Sequence, residues 1–300
     1  MKSIVNFHIH TVFSDGGKTV GEVVQGLKDS EVQYFAITDH DCVDGNIEAA
    51  ELAKANGLKH INGVEISCNF TGEIPELDES CNCHIVGLNF ELGLMRKELE
   101  RFTENKKRIL GELLDRLISD GYDKIDKTAV CEDGIPERTK IAKELVKNGY
   151  VTGTNQAFVK VLNNEKYWDY VKVLPSVDDA ICAIKRCGGI AVWAHPFGYS
   201  RGGKRDLKYE QVERLAQKLF SGENKPSAIE VFYQQYDKEQ IDFLNGLAQK
   251  YGTLKSIGTD YHHNASYVAD HPQALEQFQR EKLFFDVDGV TPDESITEAL

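Results

Sequence analysis

His8 and His10 stand two residues apart at the end of a short apolar run, Ser3 to Phe7, that reads as a strand. On a strand, positions i and i+2 project to the same face. Two imidazoles on one face reach a single divalent ion at the usual metal–nitrogen distance of about 2 Å with no backbone rearrangement. The plain alternative is a pair of ordinary histidines at a strand end. It loses weight because His40, Glu65, His84, His195, Asp260 and His262 also fall at or near the carboxyl ends of predicted strands, where α/β barrels place their chemistry. Six of the nine histidines belong to this set, and His60, His263 and His271 fall outside it. Imidazole mixed with carboxylate suits zinc, iron or manganese, and a glutamate among histidines is a natural bridge between ions. Cys81 and Cys83 beside His84 suggest a thiolate site, but no second cysteine pair lies at the spacing such a site needs.

The elements that must hold these residues alternate. Thr19 and Glu22 have capping-box spacing, and Val20, Val23, Val24 and Leu27 form the apolar stripe of a helix to about Lys28. Tyr34–Thr38 is a strand ending in Asp39-His40-Asp41, after which Asp44 caps a helix that stops near Gly57. His60–Val64 is a third strand running into Glu65, and Cys83–Leu88 a fourth carrying His84, with a polar connection between them. From Met95 to Trp168 the pattern turns helical, with Leu99, Phe102, Ile109, Leu113, Leu114 and Leu117 at helical spacing. Ser176 and Asp179 then open a helix, and strands follow at Ile190–Ala194, Ala228–Phe232 and Leu254–Gly258, with a helix over Asp237–Gln249. A further helix is expected around Gln273–Arg280. The alternation predicts an α/β fold, with residues 1–94 and 173–300 forming the main domain and 95–172 a small helical insertion domain.

Composition narrows the class. A chain of 300 residues with 41% hydrophobic content builds a sizeable core without disulfides. No apolar run is long enough to span a bilayer and no signal-peptide layout is present, so a soluble cytoplasmic protein with no membrane partner is expected. Seven cysteines, an odd count, point to reduced thiols. A net charge of −13 without a basic block argues against a stable duplex nucleic-acid partner.

With these residues in hand the chain resembles the PHP family, the polymerase and histidinol phosphatase superfamily of metal-dependent phosphoesterases. The resemblance runs through HIHTVFSDG at 8–16, ITDHDCVDG at 37–45, GVEIS at 63–67, HIVGLNF at 84–90, AHPFG at 194–198, IEVFY at 229–233 and GTDYHH at 258–263. It implies a distorted (β/α)7 barrel and two or three divalent ions, Mn, Fe or Zn. One ion would be held by His8, His10, Glu65 and Asp260, and a second would share Glu65 with His84 and His195. The third would take Asp15, His40 and His262. Asp15, where some relatives have histidine, is similar to the subgroup acting on nucleotides and other small phosphate esters. That subgroup has a small insertion with a Gly-Arg-Pro-His motif. Here the stretch reads Glu137-Arg138-Thr139-Lys140, so Arg138 takes the arginine's place while Lys140 replaces the histidine.

The chemistry this implies is hydrolysis of a phosphate ester. Three divalent ions against Asp15, Glu65 and Asp260 leave roughly +3, which attracts a phosphate dianion despite the acidic whole. Such ions would activate a water as the nucleophile for in-line attack on phosphorus, and Arg138 would grip the equatorial oxygens bidentately. His195, His262 and Asp260 are alternative partners for the leaving alkoxide. Asp39 either orients an imidazole or caps its turn. Tyr233, Gln234 and Tyr236 follow a strand end and either contact the organic part of the substrate or pack. Ser14, Thr38 and Asp41 read as turn residues. The expected substrate is a nucleoside 5′-monophosphate, a 3′,5′-bisphosphate nucleotide or a short oligonucleotide. Histidinol-phosphate hydrolysis and a non-catalytic metal-binding module are the alternatives.

Overall fold

The structure, a computed structural model, describes residues 5–70, 82–131, 137–170, 173–198 and 207–262. The helix expected at Gln273–Arg280, the connection between the third and fourth strands, and Cys81 lie outside them. The chain divides into two compact units, one running up to Arg96 and again from Ser176, the other spanning Lys97–Pro175.

The first unit is built on seven strands: β1 (Val5–Asn6), β2 (Tyr34–Ile37), β3 (Lys59–Asn69), β4 (Asn82–Leu88), β5 (Ile190–Trp193), β6 (Ala228–Tyr233) and β7 (Leu254–Gly258). They neighbour one another in sequence order. Phe7 N–H donates to the Ile257 carbonyl at 3.1 Å, and Ile9 bridges Tyr261 in parallel, which brings the last strand back to the first as a nearly closed barrel. Helices α1 (Val20–Asp29) and α2 (Gly45–Asn56) follow the first two strands. Thr19 and Glu22 make the expected capping box on α1. Asp44 does not cap α2: its backbone is already helical, so its side chain cannot reach back to the first turn, and it pairs with Arg96 instead.

β4 runs antiparallel to both β3 and β5. An antiparallel pair needs no crossover helix, which explains why a polar connection suffices between β3 and β4. The reversal corrects two expectations. His84 lies near the start of its strand, not its carboxyl end, and Glu65 sits in the middle of the eleven-residue β3. Because β4 is reversed, its amino-terminal end shares a rim with the carboxyl ends of its parallel neighbours, so His84 still reaches the common site.

Past β4 the chain enters α3 (Leu92–Ser119), inside which the boundary between units falls. The second unit continues with α4 (Lys127–Val130), α5 (Arg138–Lys147) and α6 (Thr154–Ala157). Its interior is apolar, with Leu110, Leu113, Leu117, Ile141, Leu145 and Leu162 buried together. The first unit resumes with α7 (Val177–Arg186), α8 (Tyr209–Ser221) and α9 (Lys238–Tyr251). Ser176 with Asp179 caps α7, and Asp237 with Gln240 caps α9. No helix among the described residues is long and apolar enough to cross a membrane.

Candidate metal centre

The two-residue period beyond β1 divides its side chains between two environments. Ile9 enters the apolar cluster that includes Val20, Phe35, Ile37 and Tyr261, while His8 and His10 point the other way, and all three are fully buried. Asn6 links this strand to the far edge of the barrel: its amide donates to Thr259 Oγ1 at 2.8 Å, and its carbonyl accepts from the backbone of His8 and of Thr259 at 3.2 Å each. Thr38 Oγ1 accepts from Ile9 N–H at 3.0 Å. Asp39 takes the turn-holding role among its two alternatives. It accepts from Thr11 N–H, Thr11 Oγ1 and Ser14 Oγ, each at 2.7 Å, and so fixes the loop that carries Asp15. Asp41, at φ 49°, accepts from Ser67 N–H at 3.0 Å.

Glu65 is the centre of the arrangement. Its Oε1 lies 2.9 Å from both His84 Nδ1 and His195 Nε2. Its Oε2 lies 3.3 Å from His8 Nε2, 3.1 Å from His10 Nε2 and 3.3 Å from His40 Nδ1. Asp260 Oδ1 is 3.4 Å from His8 Nε2, 3.0 Å from His10 Nε2 and 3.4 Å from His262 Nδ1. Asp15 Oδ1 is 3.2 Å from His262 Nε2 and 3.8 Å from His40 Nε2. Three groups of ligand atoms lie close enough to hold ions: His8, His10, Glu65 and Asp260; His40, Glu65 and His84; and His10, Asp15, His40 and His262. Eight of the nine residues read from the sequence as ligands fall in these groups, and the ninth, His195, lies outside them with its Nε2 2.9 Å from Glu65 Oε1. His40 stands between two groups, whereas the resemblance gave it only to the third set.

The residues fit metal ions better than they fit one another. His8 Nε2, both ring nitrogens of His10, His40 Nδ1, Glu65 Oε2 and Asp260 Oδ1 are buried and make no hydrogen bond among the described residues. Buried polar atoms ordinarily find partners. Ligand atoms held about 2.1 Å from a common ion lie roughly 3.0–3.4 Å apart at tetrahedral or octahedral angles. The Nε2 atoms of His8 and His10 lie 3.0 to 3.4 Å from Glu65 Oε2 and Asp260 Oδ1, and His40 Nδ1 lies 3.3 Å from Glu65 Oε2.

Charge points the same way. Burial by itself lowers the His8 imidazole, but Glu230, Glu65 and Asp260 outweigh it and hold the pKa well above the ordinary value. Burial likewise opposes the raised pKa of His10, about 9, which the adjacent Asp260 and Glu65 carboxylates sustain. His195 is raised against burial by Glu65, Asp260 and Glu230. Burial would raise Glu65 and Asp260, yet the surrounding imidazoles drive both carboxylates down. His40, lowered to about 4 by burial and by its imidazole neighbours, stays neutral and ready to ligate. The cluster is therefore built to hold positive charge.

Two residues revise the sequence reading of this site. Glu230, which lies partway along the Ala228–Phe232 strand and is given no role by the sequence reading, hydrogen-bonds His8 Nδ1 at 2.9 Å and accepts from the His195 backbone N–H at 2.7 Å. The available signal was a carboxylate inside IEVFY, where every residue of β6 is buried. Tyr233 donates its hydroxyl to Asp260 Oδ2 at 2.9 Å, and burial and the adjacent carboxylates raise its pKa. At 1% exposure its ring presents no face for a base, and the buried Tyr236 packs against it and hydrogen-bonds Phe197 N–H. Both tyrosines are packed, while Gln234 is half-buried. In the helical unit, Arg138 donates Nη2 to the Leu162 carbonyl at 2.9 Å and to Asn163 Oδ1 at 2.6 Å, and lies over the Phe158 ring. Lys140, two residues further along α5, is half-buried. Cys83, read with Cys81 as a thiolate candidate, is buried, and no cysteine enters the ligand groups of the described residues.

Comparison with known proteins gives a family and several relatives. The family model described as PHP domain matches residues 6–178. A 5′-3′ exoribonuclease of Haemophilus influenzae is 29% identical over 88% of this chain and 91% of its own length. A 3′,5′-nucleoside bisphosphate phosphatase of Chromobacterium violaceum is 28% identical, with 86% of this chain and 87% of the relative aligned. A phosphoribosyl 1,2-cyclic phosphate 1,2-diphosphodiesterase of Eggerthella lenta is 26% identical over 86% of this chain and 94% of its own. Among solved structures, an amidohydrolase from Chromobacterium violaceum with bound sulfate and no metal superposes with a TM-score of 0.59 at 26% identity, covering 92% of this chain and 96% of that one. A protein from Bifidobacterium adolescentis assigned as a metal-dependent phosphoesterase gives a TM-score of 0.55 at 25% identity, with 95% and 97% of the two chains covered.

Proposed function

The chain belongs to the PHP domain family, and on that premise we propose that it is a metal-dependent phosphoesterase that hydrolyses small phosphate esters. The favoured substrate is a nucleoside 5′-monophosphate or a 3′,5′-bisphosphate nucleotide, with a short oligonucleotide as the extended form of the same class. The relatives named for nucleoside bisphosphate and RNA hydrolysis support that class. The observation that carries the reading is the set of orphaned, buried ligand atoms from His8, His10, His40, Glu65 and Asp260 that face one another at one rim of the barrel.

Two or three divalent ions, manganese, iron or zinc, would be held by His8, His10, Glu65 and Asp260, by Glu65 with His84, His195 and His40, and by Asp15, His40 and His262. When bound they supply Lewis acidity, activating water as nucleophile and neutralising phosphate oxygens. The residues do the rest. Glu65 offers one carboxylate oxygen to each side and so fixes the spacing of two ligand groups. Asp260 is held by Tyr233, and Asp260, His195 and His262 are the alternative partners that would protonate or stabilise the leaving alkoxide. Arg138 and Lys140, on the inserted helical domain of residues 95–172, supply cations for the phosphate, and Gln234 a polar contact for the rest of the substrate. Reduced thiols and a nucleotide substrate support a cytoplasmic location.

The test is phosphate release from a panel of nucleotides, sugar phosphates and histidinol phosphate, using metal-free protein reconstituted separately with manganese, iron and zinc. Selective turnover of a mono- or bisphosphate nucleotide is expected. Turnover of histidinol phosphate alone, or none with any ion, overturns the assignment.

A further inference from the structure

Glu230 is a carboxylate inside a strand whose six residues are all buried. Such a group is retained only where both oxygens find donors. Here each oxygen serves a different ligand residue. Oε1 accepts from His8 Nδ1 at 2.9 Å, and Oε2 accepts from the His195 backbone N–H at 2.7 Å. His8 belongs to the ligand group of His10, Glu65 and Asp260, while His195 lies 2.9 Å from Glu65 Oε1 on the side assigned above to a second ion. The two residues follow β1 and β5, on either side of the β6–β7 pair. Their imidazoles stand 5.6 Å apart, stacked at 30°.

The surroundings show that the chain makes room for this carboxylate. A Cβ at position 258 on β7 would lie 2.5 Å from Glu230 Oε1 and 2.3 Å from His8 Cβ, so only glycine lets the strand pass. His195 has φ 27°, which a side-chain-bearing residue adopts at a cost, and its N–H in that turn is committed to Glu230. His8 Nε2, opposite the nitrogen that Glu230 holds, is the atom left without a hydrogen bond and aimed at Glu65 and Asp260.

We propose that Glu230 is a positioning residue serving two metal subsites at once: it fixes the His8 tautomer that leaves Nε2 free to ligate, and it anchors the turn that presents His195. The inference rests on the metal-dependent reading above. It makes an asymmetric demand on substitution. In Glu230→Gln the amide oxygen must remain with the His195 N–H, a donor that cannot change, and the amide NH2 then faces His8 Nδ1. That nitrogen must become the acceptor, which moves the imidazole proton to Nε2 and removes the lone pair from the ion. Glutamine therefore damages the His8 subsite and spares the His195 turn. Alanine removes both supports.

Zinc binding to the metal-free full chain, followed by competition with a chromophoric chelator and by counting retained ions after dialysis, reads this without turnover. Glu230→Gln should weaken one class of zinc site by about 10–100-fold, and Glu230→Ala two classes. In a His8→Ala background the glutamine substitution should add nothing at the His8 subsite. A wild-type zinc isotherm for Glu230→Gln, or full additivity with His8→Ala, overturns the proposal while leaving the metal reading intact. Failure of the wild-type chain to bind zinc, manganese or iron overturns both. Should the glutamine variant not fold, the imidazole 15N shifts of zinc-loaded wild-type protein decide it. His8 protonated at Nδ1 and liganded through Nε2 supports the assignment, and the reverse pattern sinks it.

Discussion

In the helical unit, Leu110, Leu113, Leu117 and Ile141 are buried against one another. At the rim of the barrel, equally buried positions hold His8, His10 and Glu65, with ring nitrogens and a carboxylate oxygen that make no hydrogen bond among the described residues. The first arrangement lowers the free energy of the fold by removing apolar surface from water. The second raises it, because orphaned polar atoms and the positive φ of His195 and Asp260 all cost stability. Burial alone therefore does not identify a core. The difference lies in whether the buried atoms satisfy one another, and at the barrel rim ligand atoms of several residues converge without doing so.

Substitution in the two regions should separate stability from chemistry. His8→Ala with His10→Ala removes two ligands of one group and should lower turnover by at least about a thousandfold, with metal content falling in parallel and the metal-free protein still folded by circular dichroism. Turnover near wild type would break the assignment of the site. Leu113→Ala or Ile141→Ala should do the reverse, costing about 2–5 kcal/mol in denaturant unfolding while turnover per folded molecule stays within twofold. A large loss of kcat with unchanged stability would show that the helical interior is not merely packing.

Arg138 tests the boundary of the comparison, since it belongs to the helical unit and is assigned to the substrate. Arg138→Met should raise KM for a nucleotide about tenfold, equivalent to about 1.4 kcal/mol, with metal content unchanged. Its hydrogen bonds to Leu162 and Asn163 also hold the unit together, so Asn163→Ala is the control, expected to lower stability by about 1 kcal/mol and leave KM alone. Equal KM effects from the two would reassign Arg138 to structure.

Much of this division was legible in the residues. His8 and His10 declare a shared face by their spacing, and His40, His195, Asp260 and His262 are marked by where their strands stop. The apolar periodicity of α3 marks the helical interior equally well. What the residues did not carry was direction and distance. The alternation of β4 is the same whichever way the strand runs, so its reversal, and with it the true place of His84, depends on pairing. Glu230 and His8 lie 222 positions apart, and no local pattern reports such a partner. Asp44 carries a cap's side chain, but backbone geometry decides whether a cap forms.

His60 supplies the finest contrast, because it is a half-buried histidine, its Nε2 enclosed, that enters no ligand group of the described residues. It pairs with Phe35 across the β2–β3 ladder, its ring lies 5.1 Å from the phenylalanine, and its Nε2 makes no hydrogen bond among the described residues. No carboxylate offsets its burial, and its pKa falls to about 4, opposite in direction to His8 and His10. Between that value and the unfolded imidazole near 6.5, the unfolded chain binds a proton that the folded chain refuses. Stability from this group is therefore complete above about pH 6.5 and is lost as pH falls toward 4. The expected loss between pH 7.5 and 4.5 is about 2 kcal/mol, allowing for partial exposure. Urea unfolding of the metal-free chain with and without His60→Leu isolates it, since the contributions of the metal cluster cancel in the difference. A His60→Leu curve that keeps the wild-type acid slope would show that the ring is protonated in the fold, and the distinction between the two kinds of histidine would then fail.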